Sequence, residues 1–279
     1  MITPVLQDDS FLEDVSRAKR KFDQLHLWWL GQSGFLIQWQ GYHLLIDPYL
    51  SDSLTKKYAG TNKPHVRMTE RVIAPERLDF IDVVTSSHNH TDHLDGETLI
   101  PLLKANPNMD LIVARANVNF AADRLQITPD RIIPIRTDSW LVRWDPFVFR
   151  AIPSAHETLE FDENGDQRFI GLVIQVGKWT IYHSGDCIPY DGLVERLKNW
   201  EIDIALLPIN GRDPARGVAG NFTAKEAALL GKEINAGIVI PCHYEMFEFN
   251  TVSPDEFVKT AEEIDQKYKL LKCGQRLDL

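Results

Sequence analysis

The spacing of hydrophobic positions changes along the chain. Phe11, Val15, Ala18, Phe22 and Leu25 recur at helical intervals, and Ser10 with Glu13 has the form of a capping box. This predicts an amphipathic helix within residues 1–24, packed on the body of the protein. From Leu25 the period shortens: LHLWWLG, GFLIQWQ and HLLIDP, broken by Gly31 to Gly34 and by Gln40-Gly41, read as an antiparallel meander. Asp82-Val-Val-Thr-Ser-Ser predicts a buried strand running into a histidine-rich turn, with a helix from Gly96 to Leu103 beyond it. DLIVA, RIIPI, WLVRW through FRAIP, FIGLVIQV, WTIYHSG, DIALLPI and GIVIPCH predict further strands. Helical stretches are predicted at Ala116 to Leu125, Tyr190 to Asn199, Thr223 to Ile234 and Pro254 to Tyr268. Hairpins in both halves with helices between them predict an α+β protein of two packed sheets covered by helices on their outer faces. No linker rich in Pro, Gly or Ser interrupts the pattern, so residues 25–279 are expected to form one domain.

Composition narrows the partners. The 279 residues carry 30 Lys plus Arg against 40 Asp plus Glu, a formal charge of −10, which speaks against a nucleic-acid backbone or an anionic membrane as the main partner. RNA processing is disfavoured for the same reason. The 3 cysteines, Cys187, Cys242 and Cys273, are odd in number and irregular in spacing, so a reducing compartment is expected rather than a disulfide framework. The first residues lack a basic region followed by an apolar core, and no apolar run approaches the roughly 20 residues that span a bilayer. A cytoplasmic location without integral membrane association is expected, with a homo-oligomer compatible with the sequence.

The strongest chemical signal is Ser87-His88-Asn89-His90-Thr91-Asp92-His93-Leu94-Asp95-Gly96. His88 and His90 alternate off an extended segment and present both rings to one side, whereas Asp92 and His93 lie past the bend and point elsewhere. Neutral imidazole nitrogen and carboxylate oxygen suit zinc, manganese or iron. A metal pair needs further ligands. His156, Asp186 and His243 each sit where an apolar strand runs out into a loop, a placement that suits a site at one edge of two sheets.

With these residues in this order, the sequence resembles the metallo-β-lactamase superfamily of hydrolases, from about Leu25 to Phe247. The resemblance implies a four-layer αββα sandwich and two divalent ions, zinc or manganese. It implies that His88, His90 and His156 hold one ion, Asp92, His93 and His243 the other, and Asp186 bridges them. Asp47 in LLIDP matches the superfamily's early aspartate, which supports the ligands from behind. Trp28-Trp29-Leu30-Gly31, Tyr182 to Asp186, Asp213 to Gly217 and Ile240 to Tyr244 resemble the L-ascorbate-6-phosphate lactonase group. The HNHTDHLD string, LPIN ending at Asn210 and the helix beginning Thr223-Ala224-Lys225 also resemble N-acyl-phosphatidylethanolamine phospholipase D.

Two close divalent ions create a hydroxide nucleophile near neutral pH and polarise the scissile carbonyl or phosphoryl oxygen. Asp92 and Asp186 are the expected catalytic carboxylates, with Asp186 orienting the hydroxide. His183 is a candidate leaving-group acid or substrate contact, or alternatively a side chain bonding a loop carbonyl. Arg212 and Arg216 could hold a substrate phosphate or carboxylate by forked hydrogen bonds, or lie on a solvated loop. Cys187 and Cys242 are assigned to packing. Ser51 to Arg71 is a locally basic loop through Lys56, Lys57, Lys63, His65 and Arg67. The leading expectation is a metal-dependent hydrolase of a small anionic ester, a lactone such as a sugar-phosphate lactone, or a phosphodiester. The alternatives are a phospholipase D-like phosphodiesterase, a di-iron oxygen- or nitric-oxide-reducing protein, and a non-catalytic ligand-binding protein.

Overall fold

The computed structural model describes residues 1–137, 141–213, 218 and 220–279. The meander is present as β1 (His26–Gly31), β2 (Gly34–Trp39) and β3 (Tyr42–Ile46), paired antiparallel in sequence order. The chain then crosses over to β4 (Val83–Ser86), β5 (Asp110–Ala114) and β6 (Ile132–Ile135), which add in parallel. A short C-terminal strand, β13 (Arg276–Asp278), closes the other edge against β1 and completes a 7-stranded sheet. Its polar RLD sequence gives no alternation signal, which is why the sequence pattern passes over it.

The second sheet has 6 strands. β7 (Leu141–Trp144), β8 (Phe147–Pro153), β9 (Ile170–Val176) and β10 (Trp179–His183) pair antiparallel, and β11 (Ile204–Pro208) and β12 (Ile238–Cys242) follow in parallel.

Side-chain alternation accounts for the layering. In the first sheet Leu27, Trp29, Phe35, Ile37, Leu44, Ile46, Val83 and Ile112 join Phe147, Phe149, Leu172 and Ile174 of the second in one core. The intervening Trp28, Leu30, Leu36, Leu45, Val84 and Leu111 turn the other way, onto helices α1 (Asp8–Ala18), α3 (Gly96–Ala105) and α4 (Val118–Leu125). A strand with a period of two can serve two cores at once only when both faces are covered. Helices α6 (Ala224–Glu233) and α7 (Asp255–Glu263) pack Ala227, Leu230 and Phe257 against the second sheet. The result is the αββα sandwich expected.

Several boundaries differ from the sequence reading. Helix α1 starts at Asp8, with Gln7 at its cap and Ser10 Oγ accepting the Gln7 amide at 3.0 Å, so Ser10 lies inside the first turn. It stops at Ala18, and Phe22, predicted on its buried face, is exposed. The Tyr190 to Asn199 stretch shortens to α5 (Leu193–Leu197), and the basic loop after β3 contains an unpredicted helix, α2 (Ser53–Lys57).

Every ligand candidate lies just past a strand terminus on one edge of the sandwich: Asp47 after β3, His88 after β4, His156 after β8, Asp186 after β10 and His243 after β12. The parallel pairings of β3 with β4, of β10 with β11 and of β11 with β12 make those C-terminal ends coincide.

Helix α1 is held by Phe11, fully buried and edge-on to Trp28 with ring centroids 6.3 Å apart. Removing that ring leaves a cavity under the first sheet, and a Phe11→Ala substitution is expected to cost about 3–5 kcal/mol. Chemical denaturation checks this; a loss below about 1 kcal/mol would show α1 to be dispensable to the fold.

Candidate metal centre

The histidine-rich turn is locked from several directions. After β4, the amides of His93 and Leu94 both donate to the carbonyl of His90, at 3.1 and 2.8 Å. Arg124 on α4 donates to the carbonyls of Asn89 and Leu94, at 2.7 and 3.1 Å, and so clamps both ends of the turn. Asp95 caps α3 and accepts from Ser51 Oγ and Thr98 Oγ1, each at 2.6 Å. The loop that carries four of the candidate ligands is thereby tied to a helix on each side.

The imidazoles of His88, His90 and His156 form one group. Their ring centroids are 4.7 Å apart for His88 and His90, 4.7 Å for His90 and His156, and 5.7 Å for His88 and His156. Phe169 lies against all three, 5.0 Å from the His88 ring and 5.3 Å from that of His156. His156 Nδ1 donates to the carbonyl of Gly220 at 2.8 Å, which fixes the tautomer and leaves Nε2 for a ligand. A Cβ on Gly220 would sit 1.8 Å from the His156 carbonyl oxygen, so only glycine allows this approach.

Asp92, His93 and His243 form the second group. His243 Nε2 lies 3.3 Å and His93 Nε2 3.8 Å from Asp92 Oδ2. Asp186 stands between the groups, its Oδ2 3.2 Å from His93 Nε2, 3.8 Å from His243 Nε2 and 4.0 Å from His88 Nε2. Asp47, fully buried behind the turn, accepts the Ser87 amide at 2.9 Å, the Ser87 hydroxyl, and the His93 Nδ1 proton at 2.7 Å. Because a carboxylate only accepts here, the His93 proton sits on Nδ1 and its Nε2 faces the centre.

This donor set fits divalent cations. Among the described residues His88 Nε2, His93 Nε2 and Asp186 Oδ1 are buried without a hydrogen-bond partner, an arrangement that is costly unless something electron-poor meets these atoms. Asp47, His88 and His93, and likewise Asp92, His93 and His243, converge closely enough to hold an ion. Burial, with the neighbouring imidazoles, pushes His88 well below its ordinary range; burial, with His156, takes His90 down to about 4. Both rings are therefore neutral and able to ligate. Burial alone would raise Asp92 and Asp186, but the adjacent histidines outweigh it and keep both ionised. His93 moves the other way: burial would lower it, but Asp186 and Asp92 raise it well above its ordinary value, so a cation bound at His93 Nε2 takes the place of a proton shared with Asp186.

Other expected site residues lie elsewhere. His183 is buried, its Nε2 donating to the Ser33 carbonyl at 2.9 Å and its Nδ1 accepting the Gly185 amide at 3.2 Å. It is absent from the lining of the cleft above the centre. With both nitrogens committed, it braces the turn before Asp186 and has no proton to deliver, which corrects the acid role. Arg212 is corrected too: its guanidinium makes two 2.7 Å bonds to Glu226, in the capping box of α6, and faces a neighbouring hollow. Arg216 lies outside the described residues. Cys187 is a buried thiol pushed up to about 12 by burial, consistent with packing.

The cleft has a volume of about 200 Å³ and is lined by His90, Asp92, His156, Asp186 and His243 together with Gln32, Leu54, Lys57, Tyr58, Lys63, His65, Asn221 and Phe249. Lys56 and Arg67 of the basic loop are committed elsewhere, to Glu97 and Asp52, each at 2.7 Å. Gln32, Arg124 and Phe169 were not singled out by the sequence reading. The only signal for Gln32 was its place between Gly31 and Gly34, which reads as a hairpin turn.

Comparison with known proteins follows this geometry. The beta-lactamase superfamily domain matches residues 42–244. A UPF0173 metal-dependent hydrolase of Hyperthermus butylicus is 29% identical over 262 residues, covering 88% of this chain and 96% of its own. A protein of Escherichia coli named "Probable L-ascorbate-6-phosphate lactonase" is 22% identical, covering 88% of this chain and 76% of its own. Among solved structures, the metallo hydrolase Igni18 of Ignicoccus hospitalis superposes with a TM-score of 0.66 at 18% identity, over 92% of this chain and 98% of that one.

Two outcomes follow. Asp47→Ala, which frees the His93 ring, should weaken metal binding about 10–100-fold in a calorimetric titration; unchanged affinity would contradict the bracing role. For His90, the folded value of about 4 lies below the ordinary 6.5, so between those pH values the unfolded chain takes up the proton more readily. The contribution of His90 to the stability of metal-free protein therefore falls as pH drops through that window. Denaturation of metal-free His90→Gln should show a shallower loss across it than the parent; parallel curves would contradict the shift.

Proposed function

Because the chain belongs to the beta-lactamase superfamily, matched over residues 42–244, and is a metal-dependent hydrolase of that superfamily, we propose that it hydrolyses a small anionic ester, lactone or phosphodiester in the cytoplasm. The observation that carries the reading is the pair of ligand groups with Asp186 between them, opening on a cleft of about 200 Å³. His88, His90 and His156 would hold one divalent ion, zinc or manganese, and Asp92, His93 and His243 the other. When bound, such ions polarise a carbonyl or phosphoryl oxygen and lower the pKa of water to near neutrality.

The chain's own residues supply orientation and selectivity. Lys57, beside the histidine-rich turn through a 3.2 Å bond to Thr91 Oγ1, lines the cleft with Lys63 and gives it a cationic side. Tyr58 stacks on His65 with ring centroids 4.4 Å apart, and with Leu54 and Phe249 they give the cleft apolar and aromatic lining. Burial lowers the His65 pKa, so that ring acts as a neutral surface. This pairing of charge and flat apolar surface suits a compact anion. The cleft falls below the roughly 300–1,000 Å³ of sites for drug-sized molecules, which supports a small substrate over a two-chain phospholipid. Among the described residues, no helix is long and apolar enough to cross a membrane.

The test is hydrolysis of a sugar-phosphate lactone, an aryl phosphodiester and a phospholipid by zinc- or manganese-loaded protein, with Asp186→Asn as control. Turnover of the lactone or aryl diester is expected, reduced at least about 100-fold in the variant. Preference for the phospholipid, or activity that survives in Asp186→Asn, contradicts the reading. Lys57→Ala should raise KM for the anionic substrate about tenfold with kcat nearly unchanged, the signature of lost ground-state binding.

A further inference from the structure

Gln32 is placed where a turn residue is not expected. It sits at the β1–β2 hairpin with φ of 48°, is 1% exposed, and lines the metal cleft. Its backbone carbonyl accepts both the Trp29 indole proton at 2.9 Å and the His243 amide at 3.0 Å, which fixes where the side chain departs. The carboxamide then reaches the second ligand group. Nε2 donates to Asp92 Oδ2 at 2.9 Å and lies 3.3 Å from His243 Nε2. Those are the atoms, with His93 Nε2, that converge as a candidate ion site. The other carboxamide atom, Oε1, is buried with no hydrogen-bond partner among the described residues.

These contacts describe an amide group standing in for a cation. Without an ion, two lone pairs converge, and the NH2 of Gln32 is the electron-poor group that meets them. A divalent ion at the same place would face the positive end of that amide, an unfavourable contact. The terminal torsion of a glutamine is broad and roughly two-fold, so exchanging Nε2 and Oε1 needs no displacement of the backbone. The exchange turns a repelled N–H donor into a hard oxygen donor and gives a partner to the atom that has none.

We propose that Gln32 is an additional ligand of the Asp92–His93–His243 ion, binding through Oε1 after its carboxamide turns over, and that it makes the two ion positions unequal. The proposal rests on the two-ion reading above. Among the described residues His88, His90 and His156 meet no such competitor, so their position fills first. The second fills at a higher ion concentration, because the amide contacts with Asp92 and His243 must be given up.

The test is calorimetric titration of metal-free protein with Zn²⁺ and, in parallel, Mn²⁺ monitored by its paramagnetic resonance, for the parent, Gln32→Met and Gln32→Glu. Thermal melts of the metal-free proteins report folding, and the backbone contacts of residue 32 are retained in both variants. The parent is expected to bind two ions in distinguishable steps. Gln32→Met, which has neither donor nor oxygen, should weaken the second step at least tenfold and leave the first unchanged. Gln32→Glu, which keeps an oxygen and loses the donor, should bind the second ion as tightly as the parent or more tightly. If Gln32 acted only as the competing donor to Asp92, Gln32→Met would tighten the second step instead of weakening it, and this overturns the proposal. Two ions bound equally well by the parent and Gln32→Met overturn it as well. A parent that takes up a single ion overturns the two-ion reading itself.

Discussion

The buried polar atoms of His88, His93 and Asp186 that find no partner among the described residues constrain this molecule more than any other feature. A sandwich of this size can bury apolar strands on both faces with little difficulty, yet here the strand ends deliver imidazoles and carboxylates into one enclosed space, leaving His88 Nε2, His93 Nε2 and Asp186 Oδ1 without partners. Such an arrangement opposes folding unless the surroundings fix it and a cation compensates it. Much of the local structure serves that fixing: Asp47 and Ser87 behind His93, Gly220 behind His156, Arg124 across the turn, and His183 beneath the turn that carries Asp186.

The same constraint explains why sheets, helices and site are inseparable. The two halves bring their strands to a common edge, one half supplying Asp47, His88, His90, Asp92 and His93, the other His156, Asp186 and His243. Neither half holds a complete ligand set. The layer of α1, α3 and α4 keeps the first sheet in place, and α3 and α4 reach the histidine-rich turn directly through Asp95 and Arg124. The loop after β3, where α2 brings Lys57 and Tyr58 to the lining of the cleft, is the part we propose meets the substrate.

Most of the architecture was legible in the sequence because most strands, buried on both faces, read as short near-continuous apolar runs bounded by turn residues. The HNHTDH string and its three distant partners were legible because ligand chemistry restricts residue type and because each partner follows an apolar run. What escaped was polar and local. β13 has too few apolar positions, α2 is a single short turn in a basic loop, and the α1 start depends on a Gln7 cap that sequence rules place second to serine. Arg212 looked like an anion fork, but its partner Glu226 lies in the next helix, and only the fold brings them together. His183 looked available because sequence cannot show that Ser33 and Gly185 already occupy both its nitrogens. Gln32 was hidden for the converse reason: a glutamine in a glycine turn has no chemical signature until the fold sets it against Asp92 and His243.

The most direct test of the account is a crystal structure of zinc- or manganese-loaded protein with anomalous data collected across the absorption edge of the metal. The account predicts two peaks, one among His88, His90 and His156 and one among Asp92, His93 and His243, with Asp186 between them. A metal-loaded crystal without a peak in this cleft, or with a single peak held by Asp47, His88 and His93, would contradict it.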